Sequence, residues 1–147
     1  MRSPCSRTHL SVISAITPLG QLLMQVHEQS ICGAQVVAFV RHLLRHIPGK
    51  LLIIWDGARI HHCNAVKEFL AAGGAKRVHL ERLPAYAPDL NPDEGIWRYL
   101  KHVELRNVVC QDVEELRYEL RLATARVRHK AHVIPGCFAQ ARLSMSP

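Results

Sequence analysis

The stretch LLIIWD at residues 51–56 decides the expected fold. Five consecutive apolar residues have the length of one β-strand, and an unbroken apolar run is typical of a strand covered on both faces in an α/β sheet. Asp56 follows directly, so a carboxylate is expected at the C-terminal end of this strand. Functional sites in open α/β sheets form beyond the strand C-termini, which makes Asp56 the first candidate functional residue.

The segments on either side of this strand alternate between strand and helix patterns. Leu10 to Ile16, the turn-like TPLGQ and Leu22 to Val26 predict an antiparallel hairpin. Apolar residues at helical spacing predict an amphipathic helix from Gly33 to Ile47. Similar patterns predict a helix at Asn64–Ala72, a strand at Val78–Leu80, a helix from about Pro92 and a longer one from Asp112 through Val127. This order predicts an α/β sheet of mixed direction, flanked by helices.

The composition is that of one basic globular domain. The chain has 147 residues, 48% of them hydrophobic, and a formal net charge of +7 at pH 7. The positive excess favours a polyanionic partner, nucleic acid first and an acidic protein surface second. The five cysteines lie far apart without a C-x-x-C pair, which indicates neither a disulfide framework nor a zinc site and fits a reduced cytoplasm. No membrane segment is expected, because Thr17, Pro18 and Gly20 interrupt the apolar run near the N-terminus.

Two carboxylates are candidates for metal-dependent cleavage of phosphodiesters. That chemistry uses paired divalent cations, and Mg²⁺ or Mn²⁺ prefers oxygen ligands. Asp56 is the first candidate, with a strand-end turn or a helix cap as its alternative role. Glu94, in NPDEGIW, is the second candidate. Asn91, Pro92 and Glu94 also match the N-cap, N1 and N3 positions of a capping-box helix start, so capping alone would explain this glutamate.

The helix expected from Pro92 has two contrasting sides. One side is an apolar stripe, formed by Ile96, Leu100 and Val103. Glu94, Arg98 and Lys101 fall on the opposite side, where a carboxylate and two cations could face one phosphate backbone. An ordinary solvated helix face is the alternative. The basic residues late in the last long helix complement the helix dipole, so we interpret them as structural; they are Arg121, Arg126, Arg128 and Lys130.

Two longer motifs carry a specific resemblance. WDGARIHH at residues 55–62 and ERLPAYAPDLNPDEGIWRYLK at residues 81–101 resemble the central motifs of bacterial insertion-sequence transposases related to the mariner superfamily. The usual pattern in that family is an Asp, a small residue pair and a His, followed later by LPPYSPxLNPxExxWxxLK. Asp56 and His61 match the first motif. The second is matched by Leu83, Pro84, Tyr86, Pro88, Leu90, Asn91, Pro92, Glu94, Trp97 and Lys101.

The resemblance implies an RNase H-like fold and metal-dependent DNA cleavage and strand transfer. Asp56 would be the second acid and Glu94 the third in an Asp-Asp-Glu triad that binds Mg²⁺ or Mn²⁺. Arg98, Lys101 and His61 are the DNA-binding candidates. For His61, which would orient Asp56 or touch phosphate, a plain surface position is the alternative. Trp97 is expected to be packed rather than stacked on a base.

The sequence departs from the family pattern upstream of Asp56. The first Asp of the triad should lie on the first strand of the sheet, yet residues 1–55 contain no aspartate, and Glu28 in the hairpin is the only acidic residue there. We therefore expect residues 1–147 to form an N-terminally truncated catalytic domain that lacks the first strand and the family's helix-turn-helix domain. Such a chain should be inactive alone. Besides DNA, its expected partner is full-length transposase or an upstream-encoded N-terminal half, in the bacterial cytoplasm at the nucleoid.

Two other functions remain open. One is a catalytically silent remnant that keeps a basic DNA-facing surface or associates with full-length transposase. The other is an RNase H-like nuclease that takes its third carboxylate from Asp89 or Asp93, both close to Glu94 in the sequence.

Overall fold

The computed structural model describes residues 10–56, 63–84 and 90–141. The chain divides into two compact units, Met1–Ser30 with Pro92–Pro147, and Ile31–Asn91. We call the first the hairpin unit and the second the parallel unit, after the strand pairing in each. Among the described residues, every helix is too short or too polar to cross a membrane.

The hairpin unit begins with two antiparallel strands, β1 (Ser11–Ile16) and β2 (Leu22–His27). Their register places Ile16 opposite Leu22. The turn between them closes with a hydrogen bond of 2.9 Å from the Gly20 amide to the Thr17 carbonyl, and Gly20 has a φ of 93°. Glycine adopts that left-handed conformation without the steric cost of a Cβ. The predicted hairpin is confirmed.

Helices complete the hairpin unit. α3 (Pro92–Tyr99) runs directly into a π-helical turn (Leu100–Glu104), and α4 (Val113–His129) and α5 (Val133–Gln140) follow. The predicted helices from Pro92 and Asp112 are therefore confirmed. The core consists of residues from β2, α3, the π-helical turn, α4 and α5: Leu22, Ile96, Leu100, Ala123, Val127, Val133, Ile134, Cys137 and Phe138.

Sequence patterns did not predict α5. A Pro-Gly pair usually indicates a turn, and Pro135-Gly136 falls inside this helix. Pro135 is the third helical residue, in the first turn, where backbone amides have no partner within the helix and a missing N–H costs nothing. Burial of Val133, Ile134, Cys137 and Phe138 supplies the stabilisation that local propensity lacks.

The sequence predicted one apolar stripe on the helix after Pro92, and this prediction is confirmed for its first two residues and wrong for the third. Ile96 and Leu100 are fully buried, whereas Val103 is 53% exposed. The amide of Leu105 donates to the carbonyl of Leu100, five residues earlier, at 2.8 Å. This wider turn shifts the residues after Leu100 around the helix axis, so spacing based on 3.6 residues per turn no longer holds at Val103.

The parallel unit contains α1 (Gly33–His46), β3 (Leu51–Trp55), α2 (Asn64–Ala71), a 3₁₀ turn (Gly74–Lys76) and β4 (Val78–Arg82). β3 and β4 are parallel, with Leu51 opposite Val78. The two helices and two strands of this unit were predicted, whereas the 3₁₀ turn was not. The helical crossover between β3 and β4 is what parallel neighbours require.

One expectation about β3 is wrong. Its apolar run suggested a strand covered on both faces, but Leu52 is 60% and Ile54 is 52% exposed. The opposite face holds Leu51 and Ile53, and Val78, which pairs with Leu51, is buried. The core of this unit therefore lies on one side of β3 only.

A polar clamp joins the end of α1 to the start of β4. The Arg77 guanidinium donates hydrogen bonds to three main-chain carbonyls, those of Leu44 at 3.2 Å, Ile47 at 3.0 Å and Gly49 at 2.9 Å. Carbonyls at a helix C-terminus have no partner within the helix, so a forked cation satisfies several of them together. The described strands form two separate two-stranded sheets, one antiparallel and one parallel, and the predicted α/β class with strands of both directions is confirmed.

Candidate active site

Asp56 lies where the sequence placed it, immediately after β3. The amide of Leu83 donates to the carbonyl of Trp55 at 2.8 Å, so pairing with the β4 side continues up to the residue before Asp56. The backbone that carries this carboxylate is therefore fixed by the sheet. Asp56 itself is exposed at the C-terminal end of a parallel strand, the usual position for functional residues in α/β folds.

Glu94 is the third residue of α3, and Pro92 is the first, as predicted. Its side chain is exposed, whereas Gly95 and Ile96 beside it are buried. The side chain of Glu94 therefore points into solvent, while the residues that follow it pack against the core.

The two candidate ligands belong to different units, Asp56 to the parallel unit and Glu94 to the hairpin unit. Their convergence on shared ions stays a prediction. Within residues 10–56, 63–84 and 90–141, no group of three or more His, Cys, Asp or Glu side chains is arranged to hold a metal ion.

A hydrogen-bonded link that the sequence did not reveal lies beside Glu94. The Ser14 hydroxyl on β1 donates to Asp93 Oδ2 at 2.7 Å and accepts from the Trp97 indole Nε1 at 3.0 Å. Burial raises the pKa of the Asp93 carboxyl above its usual range; the Ser14 hydrogen bond opposes that rise, and the neighbouring Glu94 charge adds to it. The only sequence signal was a hydroxyl residue within a largely apolar strand.

The other candidate residues lie partly on α3 and the turn after it, and partly outside the described residues. Arg98 and Lys101 are exposed, Lys101 within the π-helical turn. Trp97 packs against the core of the hairpin unit, which confirms the packed interpretation. His61 and Asp89 lie outside the described residues.

Three of the basic residues at the end of α4, Arg126, Arg128 and Lys130, take part in the structure of the hairpin unit, as interpreted from the sequence. The side chain of Glu104 is only 5% exposed. Arg126 Nε donates to its Oε2 at 2.6 Å, and Lys130 donates to its Oε1. Arg128 donates to the Leu22 carbonyl at 3.0 Å. Burial of Glu104 works to raise its pKa, but the hydrogen bonds from Lys130 and Arg126 outweigh burial and lower the pKa.

The sequence profile of DDE superfamily endonucleases matches residues 1–117, a range that includes both Asp56 and Glu94. The chain belongs to the DDE superfamily endonuclease family. This match covers well over half of the 147 residues and confirms the resemblance carried by the two motifs.

Among solved structures, the chain is similar to the Mos1 transposase in its paired-end complex with the left transposon end. The TM-score is 0.66 at 18% sequence identity, and the match covers 96% of this chain and 46% of the Mos1 chain. At that identity the likeness concerns the fold, and it confirms the expected RNase H-like α/β class. The DDE family chain thus spans less than half of the Mos1 transposase chain. Comparison with curated proteins finds no match.

Proposed function

We propose that this DDE family chain serves DNA transposition as part of a catalytic domain in which Asp56 and Glu94 bind the catalytic metal ions. The observation that carries the proposal is the family match across both residues. It is supported by two exposed carboxylates, one at the C-terminal end of a parallel strand and one in the first turn of a helix. Capping alone explains Glu94 but leaves Asp56 and the motif match unexplained.

The proposed ions are Mg²⁺ or Mn²⁺. Both candidate ligands offer carboxylate oxygens, the donors that these hard cations prefer, and both residues are exposed. When bound, the ions would activate the attacking oxygen and stabilise the leaving oxygen of a phosphodiester. The role of Asp56 and Glu94 is to hold the ions on rigid elements.

A third carboxylate is needed, and Asp93 does not suit that role. One of its oxygens accepts the Ser14 hydroxyl, and burial raises its pKa, which opposes the ionised form that a metal ligand requires. We propose instead that the first Asp of the triad is supplied by full-length transposase or by a separate N-terminal half. The setting we propose is the bacterial cytoplasm, at the nucleoid.

We propose weak, sequence-indifferent DNA binding through phosphate contacts. Arg98 and Lys101 are exposed on the helix that carries Glu94, His61 is a further candidate, and the whole chain has a net charge of +7. Affinity for a labelled duplex, measured by fluorescence anisotropy, should fall about tenfold or more between 50 and 200 mM salt, because phosphate contacts release counterions. An affinity that ignores salt, or no binding at low salt, would contradict this proposal.

Catalysis is tested by incubating the purified chain with Mn²⁺ and DNA that carries element ends, with and without an N-terminal segment bearing the first Asp. We expect no cleavage by the chain alone and cleavage once the segment is added. Asp56→Ala and Glu94→Ala should each abolish that cleavage, whereas Glu114→Ala, at an exposed glutamate of α4, should leave it unchanged.

Cleavage by the chain alone that both alanine variants abolish would instead favour the nuclease with a substitute ligand, and Asp89→Ala would be tested next. DNA binding without cleavage in the presence of the segment would favour the silent remnant.

A further inference from the structure

We propose that Ser14 and Asp93 are positioning residues that fix the first turn of α3, and with it Glu94, against β1. This inference rests on the proposed function, because it concerns how Glu94 is held as a metal ligand. It assigns a role to a link between residues 79 positions apart in the sequence.

The geometry of the link defines the rotation of α3 about its own axis. Asp93 and Trp97 are four residues apart, so they lie on one face of the helix. Ser14 Oγ contacts both, at 2.7 Å from Asp93 Oδ2 and 3.0 Å from Trp97 Nε1. A rotation of α3 would break both hydrogen bonds at once. Glu94 follows Asp93 and is offset from it by about 100° around the axis, which turns its side chain away from β1 and into solvent.

A second contact holds the same turn from the side of α5. A Cβ added at Gly95 would lie 3.0 Å from the Sγ of Cys137 and 3.2 Å from its Cβ, so α3 and α5 approach closely here because residue 95 has no side chain. Ile96, the next residue, is fully buried. The first turn is thus held by a strand through Asp93 and by a helix through Gly95, and Glu94 occupies the remaining exposed side.

A general preference for acidic residues at helix N-termini does not account for this arrangement. A carboxylate that only complements the helix dipole gains its stabilisation while exposed. Asp93 is instead directed at β1, where its Oδ2 accepts the Ser14 hydroxyl at 2.7 Å. Apolar packing alone allows small shifts, whereas a hydrogen bond fixes distance and angle. Metal ligands must be held to within about 0.5 Å, which explains the use of a polar link at this position.

Mn²⁺ binding to the full chain, followed by water-proton relaxation, tests the inference without requiring activity. Ser14→Ala and Asp93→Ala should each weaken Mn²⁺ binding about tenfold, the loss typical when the support of a metal ligand is removed. Ser14→Thr keeps the hydroxyl and Asp93→Asn keeps an acceptor oxygen, so both should stay close to the unsubstituted chain. Ser11→Ala is the matched control, because it makes the same change on the opposite face of the same strand.

Amide hydrogen exchange supplies a second readout. Exchange at the α3 amides from Ile96 onward, which donate to the carbonyls of the first turn, should be faster in Ser14→Ala and normal in Ser14→Thr and Ser11→Ala. Unchanged Mn²⁺ binding by Ser14→Ala, combined with lost binding by Glu94→Gln, would overturn the positioning role and leave the proposed function intact. An equal loss in Ser11→Ala would also overturn it, because that result indicates general loosening of β1. Unchanged binding by Glu94→Gln would reject the proposed ligand, and the positioning role with it.

Discussion

The two units hold their candidate ligands in different ways. In the hairpin unit, Glu94 extends from a helix whose neighbouring residues Ile96 and Leu100 are fully buried. In the parallel unit, Asp56 follows a strand with one uncovered face, where Leu52 and Ile54 are more than half exposed. The helix that carries Glu94 is held by side-chain contacts, which are apolar packing and the hydrogen bond between Ser14 and Asp93. The backbone at Asp56 depends instead on main-chain pairing with β4. One candidate carboxylate is therefore positioned by side-chain contacts of a helix and the other by main-chain pairing in a sheet.

Among the described residues, each unit also contains a polar clamp between segments that are distant in the sequence. In the hairpin unit, Glu104 at the end of the π-helical turn binds Arg126 and Lys130 at the end of α4. In the parallel unit, Arg77 binds three carbonyls around the end of α1. Because the hairpin unit combines fully buried core side chains with an ionic clamp, substitutions of these residues should have the larger effects.

The largest expected difference comes from the same substitution in each unit. Ile96→Ala removes a fully buried side chain and should lower the free energy of unfolding by about 2–5 kcal/mol. Ile54→Ala changes a side chain that is 52% exposed and should alter it by no more than about 0.5 kcal/mol. Urea unfolding followed by circular dichroism measures both. Equal losses would break the comparison, because they would show that the outer face of β3 is covered in solution.

The ionic clamp should give a smaller effect that depends on pH. Glu104→Gln should lower the free energy of unfolding at pH 7 by about 1–3 kcal/mol. The lower end applies, because Arg126 and Lys130 are 44% and 38% exposed and therefore screened by solvent. The folded-state pKa of Glu104 lies below its ordinary value of 4.5. The stabilisation is therefore complete above that ordinary value and disappears as pH falls through the folded-state pKa.

Melting temperatures measured from pH 7 down to pH 2 test this dependence. The unsubstituted chain and Glu104→Gln should differ at pH 7 and converge in acid. Glu114→Gln, at an exposed glutamate, should follow the unsubstituted chain throughout. A difference that persists unchanged at pH 2 would show that Glu104 acts through packing rather than through charge.

The smallest expected effect is in the clamp of the parallel unit. Arg77→Lys keeps the positive charge but replaces a forked donor that contacts the Leu44, Ile47 and Gly49 carbonyls with a single ammonium. A loss of about 1 kcal/mol in the free energy of unfolding is expected from the net value of such hydrogen bonds. Lys76→Ala at the neighbouring exposed position should change little. If Arg77→Lys is as costly as Ile96→Ala, the parallel unit is held mainly by this polar clamp.

Local patterns in the sequence were enough to predict most of the fold. The hairpin, β3 with Asp56 at its end and the helix from Pro92 follow from alternation, apolar runs and helix-start chemistry, all of which act over a few residues. The errors arise where other contacts dominate. α5 forms across Pro135-Gly136 because its side chains are buried, and Val103 is exposed because the π-helical turn changes the helical step.

Local sequence patterns predicted less of the candidate site than of the fold. Sequence spacing alone left capping as a sufficient explanation of Glu94, and the family motif was needed to favour a role as a metal ligand. The hydrogen bond from Ser14 to Asp93 joins β1 to α3 across 79 residues. Local sequence periodicity cannot predict a contact between residues so far apart in the chain. The burial of Asp93 likewise depends on packing between elements that the sequence does not place side by side.

The central claim is that Asp56 and Glu94 hold the same metal ions. Mn²⁺ affinity should be measured by water-proton relaxation for the unsubstituted chain, Asp56→Asn, Glu94→Gln and the double variant. If both carboxylates bind one ion, their contributions are coupled, and each single change should lose nearly as much affinity as the double change. The claim would be contradicted if either single variant bound Mn²⁺ as tightly as the unsubstituted chain. It would also be contradicted if the two losses of binding free energy simply added in the double variant.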